Sequence, residues 1–583
     1  GSQGFYIRGE DSSDLGNDSS GNGNDFSSSG LTTADQVTDS PTDNFPTFNA
    51  IGSCTLVSGQ ALTITDGNLR SSASGTSNAI EAVGTIAPTT GKYYAEFTLN
   101  AAPQLSNQYP AIGVIGIDLD MDGGNNFADS SFFGFLPNGN KTKGSTTSSY
   151  GDTYGNGDII GIALDLDNQK IYFSKNGTYQ NSGDPAAGSN AAFTDLVAGT
   201  QYRFCVSHAG SSATDVSMNA GQLPFNTAAP TGFSPMSTAN LPDPTIADPS
   251  AHFQTTVYTG NGTAIGSGGL EVNQSGNSTF QPDWVWAKNR TTGGNENVLY
   301  DAVRGATKVI FSSTAQQQFT VAEGVTSFDA DGFTVGNSGE LNTSGNSHVA
   351  WQWKANGSGS SNSDGSVTST VSNNSTANFS IVKYTGTGSG NSTVGHGLGT
   401  TPTFIICKHL GRSQNWRVFH NAEGVGETGF LNDSAAWAAD PDRISAVSST
   451  TFTAAANMNE SADYIAYCFA DIEGYSKFGS YVGNGNADGT FVHLGFKPAY
   501  LVTKNSTNAG DAWPIADNQR SPFNLANATV FTNLNNAETT GYQVDFLSNG
   551  FKARTTDHAV NESGATIVYW AFAETPFKTA NAR

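Results

Sequence analysis

The chain has 583 residues, too many for one hydrophobic core, and at roughly 100–200 residues per domain it predicts three to five domains. Asp plus Glu outnumber Lys plus Arg by 50 to 26, a formal charge of −24, which argues against nucleic acid and anionic membrane surfaces as partners. No apolar run reaches the ~18 residues of a membrane helix, so no membrane insertion is expected.

Abundant Gly, Asn, Ser and Thr with frequent Tyr, Phe and Val is the composition of short strands joined by tight turns, and the predicted fold is all-β. Cys54, Cys205, Cys407 and Cys468 lack metal-ligand spacing and are too few for a disulfide scaffold, so buried thiols are expected.

Residues 1–49 begin as a loop-rich segment containing LGNDSSGNGNDF (15–26), whose Asn, Asp, Ser and Gly favour turns over packed elements. From 50 to 225 the character changes. KYYAEFTLN, AIGVIGIDL, DIIGIALDL and KIYFSKNG place apolar residues at alternate positions between turn signals, the pattern of an antiparallel β-sandwich. Residues 226–251 are proline-rich and predict an extended linker or a strap along the surface.

Three repeats follow, at 252–355, 378–474 and 475–577, with a Gly/Ser/Asn-rich linker between the first two at 356–377. Each opens with a strand into a glycine turn (VYTGNG, KYTGTG, SYVGNG). Each then gives a strand with a proline, an aromatic two residues on and a lysine: PDWVWAKN, PTFIICKH and PAYLVTKN. FDADGFTVG and FLSNGFKAR read as hairpins on their Asp-Gly and Asn-Gly pairs, whereas the second repeat has SSTTFTAAAN in that place. The closing strands align Trp351 with Tyr467 and Trp570, and Trp353 with Phe469 and Phe572, so these aromatics are expected to meet those of the lysine-bearing strand of their own unit. A period near 100 residues exceeds that of a solenoid or propeller blade and predicts tandem antiparallel β-sandwich domains.

Two candidate sites stand out. DLDMDGGNNFAD (118–129) places Asp118, Asp120, Asp122, Asn126 and Asp129 in the order by which a calcium loop wraps a hard cation with oxygens. It ends in Asp rather than Glu and has no helical flanks. The middle segments NVLYDAVRG, NWRVFHNAEG and AWPIADNQR offer Tyr300, Trp416 and Trp513 beside Asp, Asn, Arg and His, the pairing of aromatic face and polar side chain that glycan-binding sites use. Trp437, in a loop the other repeats lack, is expected to be the exposed tryptophan of the set. The competing reading places these aromatics in the core.

No G-x-S-x-G, H-E-x-x-H, Walker lysine or C-x-x-C is present, and the eight histidines are scattered singly, so an enzyme is not expected. Asp165 and Asp167 alternate with Leu166 on one predicted strand, and the family resemblance given below implies that they belong to a hairpin rather than to a paired-carboxylate site. Asn277, Asn289 and Asn391 head Asn-x-Ser/Thr triplets that an Asn-rich chain generates by chance.

GKYYAEF at Gly91, FGF at Phe133, GDIIGIALD at Gly157 and KIYFSKNG at Lys170 resemble successive strands of a SPRY domain, a concanavalin-like β-sandwich that implies binding through loops at one end. The whole order, from the Asn/Asp/Ser segment through the SPRY-like region to units with WVWAKNR, LYDAVRGATK and NTSGNSHVAWQWKA, resembles virion structural proteins of tailed bacteriophages, tail fibres in particular. In such proteins the opening segment trails a complete concanavalin-like domain, so the chain is expected to start partway through one. The resemblance implies a nonenzymatic protein of the virion surface, outside the cell, that contacts a host glycan or surface protein and other virion proteins. It also implies a homotrimer. A secreted bacterial adhesin and a glycan depolymerase are the alternatives.

Overall fold

A computed structural model describes residues 2–33, 36–40, 42–52, 62–74, 76–101, 108–117, 130–210, 213–440 and 442–579. Nearly all regular structure is β, in two compact units, Gly1–Pro242 and Asp243–Arg583.

In the first unit, the alternating segments build two antiparallel sheets. One orders Leu62–Thr65, Arg70–Ala73, Thr214–Asn219, Lys92–Ala101, Ile159–Asp165, Lys170–Lys175 and Thr178–Tyr179. The other orders Thr76–Val83, Tyr202–Gly210, Ala111–Gly116, Phe133–Phe135, Asn140–Lys143 and Thr146–Ser149. Their inward faces bury Phe97, Phe135, Phe173 and Phe204, with Phe97 edge-on to Phe204 at 5.8 Å.

The proline-rich stretch lies against this sandwich. Ser234–Pro235 pairs in parallel with Tyr93 and Tyr94, and Met236 is fully buried. The buried Glu96 carboxylate accepts the backbone N–H groups of Asn226 and Thr227, both at 2.8 Å, which fixes the start of the stretch. Asp165 is buried, accepts the backbone N–H of Asn168 at 3.0 Å and pairs with Lys92 at 2.9 Å; Asp167 accepts the backbone N–H of Gly91. Asp165 thus holds the hairpin turn into Lys170, the place the family resemblance implied, and Asp167 ties that turn to the residue before the Lys92 strand.

In the second unit one arrangement recurs three times. A larger sheet carries Phe253–Thr259, Ser347–Trp353, Trp284–Asn289 and Val298–Asp301 in that order, then Phe379–Thr385, Asp463–Phe469, Phe404–His409 and Arg417–His420, then Ser476–Val482, Thr566–Pro576, Phe496–Asn505 and Pro514–Asp517. A three-stranded sheet faces each: Leu270–Asn273 with Gly332–Val335 and Val325–Asp329, and its two counterparts. The counterpart in the second module includes Ile444–Val447 and Thr451–Ala454, so SSTTFTAAAN forms its hairpin without a turn dipeptide of the Asn-Gly type. At Gly332 and Gly550 an added Cβ would stand 2.0 Å from the carbonyls of Val272 and Val492, so close approach of the neighbouring strand requires glycine at both.

Two sequence expectations are corrected. The segment 356–377 is not a flexible linker. Ser360–Asn362 and Ser369–Asn374 are strands that extend the second large sheet, and Ser369 and Ser372 are buried, donating to the Gly395 carbonyl and accepting from the Asn356 N–H. Polar side chains that satisfy backbone groups let a Ser/Asn-rich stretch pack. Nor are the three modules independent beads.

Each lysine-bearing strand is buried on both faces. In the first, Val285 and Ala287 point into the module's own interior with Phe333 and Val335, while Trp284 and Trp286 join one core cluster drawn from all three modules. Trp284 stacks on Tyr467 of the second module at 4.3 Å, Phe404 lies 4.7 Å from Trp570 of the third, and Phe253 stacks on Phe572 at 5.1 Å. Every module touches both others, so the three close into a ring. Within the first module Trp284 also meets Trp353 at 4.3 Å, the contact anticipated from the repeated pattern.

Candidate functional site

The segments expected to bind glycans instead join the modules. Asn297, Trp416 and Trp513 each precede the fourth strand named above for their module, and each donates a side-chain N–H to a neighbouring module's backbone. Asn297 Nδ2 reaches the carbonyls of Phe531 and Thr532 at 2.8 and 3.0 Å, Trp416 Nε1 that of Phe311 at 2.7 Å, and Trp513 Nε1 that of Asp433 at 2.9 Å. The direction is the same around the ring, and three steps close it.

Asp301, His420 and Asp517 end those three strands and form a second circuit. Asp301 accepts from the Tyr467 hydroxyl at 2.8 Å, Asp517 from Trp351 Nε1 at 3.0 Å, and His420 Nε2 donates to the Tyr569 carbonyl at 3.1 Å. Arg304 and Arg520, three residues on, pair with Asp301 and Asp517, and all four side chains are essentially excluded from solvent. Burial presses the His420 imidazole down to about 4, partly opposed by its bond to the Tyr569 carbonyl, so it is neutral. Its Nδ1 accepts the N–H of Ala422, which leaves the proton on Nε2.

The recurring lysine is structural too. Lys288 Nζ donates to the Asn295 carbonyl. Lys408 reaches Gln414 at 2.7 Å and Ala315 of the first module at 3.0 Å, and Lys504 reaches Asp511 at 2.9 Å and Ser434 of the second at 3.1 Å. Burial lowers all three, to about 8, 7 and 8 in chain order.

These contacts correct the glycan assignment. Tyr300 is 1% exposed, Trp416 and Trp513 are at 0%, and Trp437, expected at the surface, is 9% exposed and packs 5.3 Å from Trp513 across a junction between modules. A large aromatic face at such a junction is worth more buried against a partner module than in water. The calcium loop of Asp118, Asp120, Asp122, Asn126 and Asp129 lies outside the described residues, as does Cys54. Cys205, Cys407 and Cys468 are buried free thiols, and among the described residues no group of three or more metal-ligating side chains converges. Ser71 Oγ lies 2.9 Å from His208 Nε2, but both are fully buried and Thr214 Oγ1 holds the other ring nitrogen at 2.8 Å, so the pair is a core contact.

The ring also carries a polar cleft of about 250 Å³ between the first and third modules. Phe253, Ala499 and Ala573 supply buried apolar surface, and Gln254, Asn518 and Glu574 supply polar groups. Lys497 and Asn518 each donate to a different oxygen of Glu574, both at 2.8 Å, which balances and fixes the carboxylate. Asn277 and Gln519 are exposed at the rim. Sequence reasoning missed this cleft, because it joins residues some 220 to 325 positions apart that carry no motif. The one available signal was the small residue at Ala499, where the other modules have Asp283 and Thr403.

Residues 92–222 match the SPRY domain family, so the first unit contains a SPRY β-sandwich. Residues 248–576, more than half of the chain, match the family described as Domain of unknown function (DUF7483), and the chain belongs to that family. Similar solved structures include the SPRY domain of human HERC1, at 20% identity over 28% of this chain and 94% of that one with a TM-score of 0.23. A human SPRY domain shares 16% identity over 29% of this chain and 100% of its own, at 0.21. Stonustoxin shares 13% over 30% of this chain and 27% of its own, at 0.22. No curated protein matches the chain.

Proposed function

We propose that the chain is a nonenzymatic surface protein of a bacteriophage virion, of tail-fibre type, that contacts the host surface. The observation that carries this reading is the closed ring. Three copies of one β unit share an aromatic core and two circuits of buried polar contacts, a rigid frame whose rim loops vary without disturbing what holds it. The aromatics, lysines and ion pairs that looked most chemical all serve this frame, and the order of segments in the chain resembles tail-fibre proteins. A SPRY sandwich ahead of the ring adds a fold whose loops commonly bind. As a fibre component the chain is expected to be a homotrimer that meets other virion proteins.

Binding of the purified, labelled chain to phage-susceptible and resistant bacterial cells tests the proposal. Selective binding to susceptible cells supports host contact, and detection of the chain in purified particles supports its place on the virion. Equal or absent binding to both cell types contradicts host contact, and native mass spectrometry decides between trimer and monomer.

A further inference from the structure

The three junctions of the ring differ at one corresponding position. In the first module Asp283 accepts the backbone N–H groups of Ala355 and Gly357 at 2.6 and 3.1 Å, and in the second the Thr403 hydroxyl donates to Asp471 at 2.9 Å. In the third module the position is Ala499, whose methyl offers no such bond, and it is there that the polar cleft lies.

A second departure follows it along the chain. Residues 521–529 fill the place that the much shorter 305–307 and 424–426 fill in the other modules, so the chain leaving Gln519 continues into an enlarged loop. That loop presents Phe523 at 80% exposure, in a unit that buries every tryptophan. It is braced from below: Asn524 Nδ2 donates to the Phe546 carbonyl at 2.8 Å and Asn524 Oδ1 accepts the Phe546 N–H at 2.9 Å.

We propose that this cleft binds one neutral pyranose unit of a surface glycan, with Phe523 offering a stacking face to the adjoining part of the chain of sugars. This rests on the host-contact reading for the source of the glycan, though not for the chemistry of the site. The cleft holds one ring rather than a drug-sized ligand, whose pockets run to roughly 300–1,000 Å³. Most of its lining is polar, which suits sugar hydroxyls, and the buried edges of Phe253, Ala499 and Ala573 add a small apolar floor for the C–H edge of a pyranose. The amides of Asn277 and Gln519 both donate and accept, as hydroxyl recognition requires. The carboxylate present is already balanced by Lys497, and a chain of net charge −24 repels anionic sugars, so neutral glycans are selected.

The test screens the full chain on an array of neutral and acidic bacterial glycans, then titrates the best neutral oligosaccharide by calorimetry against an Asn277→Ala/Gln519→Ala double variant and Phe523→Ala. All three positions are exposed, so the unfolding midpoint should match the parent. Retention of a neutral glycan, weakened roughly tenfold or more by the double variant and severalfold by Phe523→Ala, is the expected result. Retention of acidic glycans alone, of none, or of a neutral glycan with unchanged affinity in the double variant overturns the proposal. Cell binding measured in parallel separates the two readings. Glycan bound through the cleft with no preference for susceptible cells upholds the site and sinks host contact; selective cell binding without any neutral glycan does the reverse.

Discussion

Trp416 Nε1 donates to the carbonyl of Phe311 at 2.7 Å, across 105 residues of chain and between two β modules. The bond is fully buried, so its loss strands a carbonyl that no water reaches. Trp416→Phe keeps most of the ring and removes the N–H, and is expected to lower the stability of the second unit by about 1–3 kcal/mol. Trp416→Ala adds a cavity and should cost about 3–5 kcal/mol. Urea denaturation of both variants, compared with the parent at equal m-value, checks the order and the size.

The Asp301–Arg304 pair lies in the same interface with neither side chain exposed. Removing one partner leaves a buried charge, so Arg304→Met is expected to destabilise by about 3–5 kcal/mol. Adding Asp301→Leu to it should recover part of that loss, although the Tyr467 hydroxyl then lacks its acceptor. A double-mutant cycle on unfolding free energies measures the coupling, and a second change that deepens the loss would show that the Tyr467 bond outweighs the stranded carboxylate.

Acid should weaken the unit before its carboxylates titrate. His420 is held at about 4 by burial, and His348 at about 4 for the same reason, whereas an unfolded imidazole titrates near 6.5. Between those values the unfolded chain binds protons that the folded chain refuses. The histidine contribution is therefore complete above pH 6.5 and is lost as pH drops toward 4, by roughly 3 kcal/mol for each such histidine. Asp283, whose carboxyl burial raises, works in the opposite direction in this range. The difference between the parent and His420→Gln isolates the imidazole: urea midpoints taken from pH 7.5 to 4.5 should fall less steeply in the variant.

The lysines act with the same sign at alkaline pH. Burial brings Lys408 to about 7 while an unfolded lysine holds its proton to about 10.4, so from pH 7 upward the unfolded chain is the more protonated and stability rises with pH. Lys408→Met removes the titrating group and should flatten this rise between pH 7 and 10. An unchanged slope would mean that the carbonyls of Ala315 and Gln414 hold Lys408 charged throughout.

Much of this architecture was legible in the sequence. Alternation marked the strands of the SPRY sandwich, and the recurring proline, aromatic and lysine marked the three modules with their correct closing strands. The arrangement of the modules was hidden, because Trp284, Val285, Trp286 and Ala287 are apolar on both faces, and alternation cannot say which face meets the module's own sheet and which meets a neighbour. Trp437 misled for a related reason: its loop is polar and unique, yet its ring covers Trp513 from the next module. Composition misread residues 356–377, where serine and asparagine bond backbone rather than water. The cleft depends on Ala499, Asn518, Glu574 and Gln254 meeting across modules, a juxtaposition that only the closed ring creates.

All eight tryptophans lie in the second unit and together sample its three modules, which makes the ring directly observable. The decisive measurement is urea unfolding of the full chain followed by tryptophan fluorescence, with variants that leave reporters in one module at a time: Trp284, Trp286, Trp351 and Trp353 in the first, Trp416 and Trp437 in the second, Trp513 and Trp570 in the third. Each set of replacements shifts stability, so within each variant the fluorescence midpoint is compared with that of far-ultraviolet circular dichroism of the isolated unit 243–583. One coincident transition in every variant is the result a shared core predicts. Reporter transitions that separate from the loss of sheet, each module melting at its own denaturant concentration, would show three independent domains and contradict the ring.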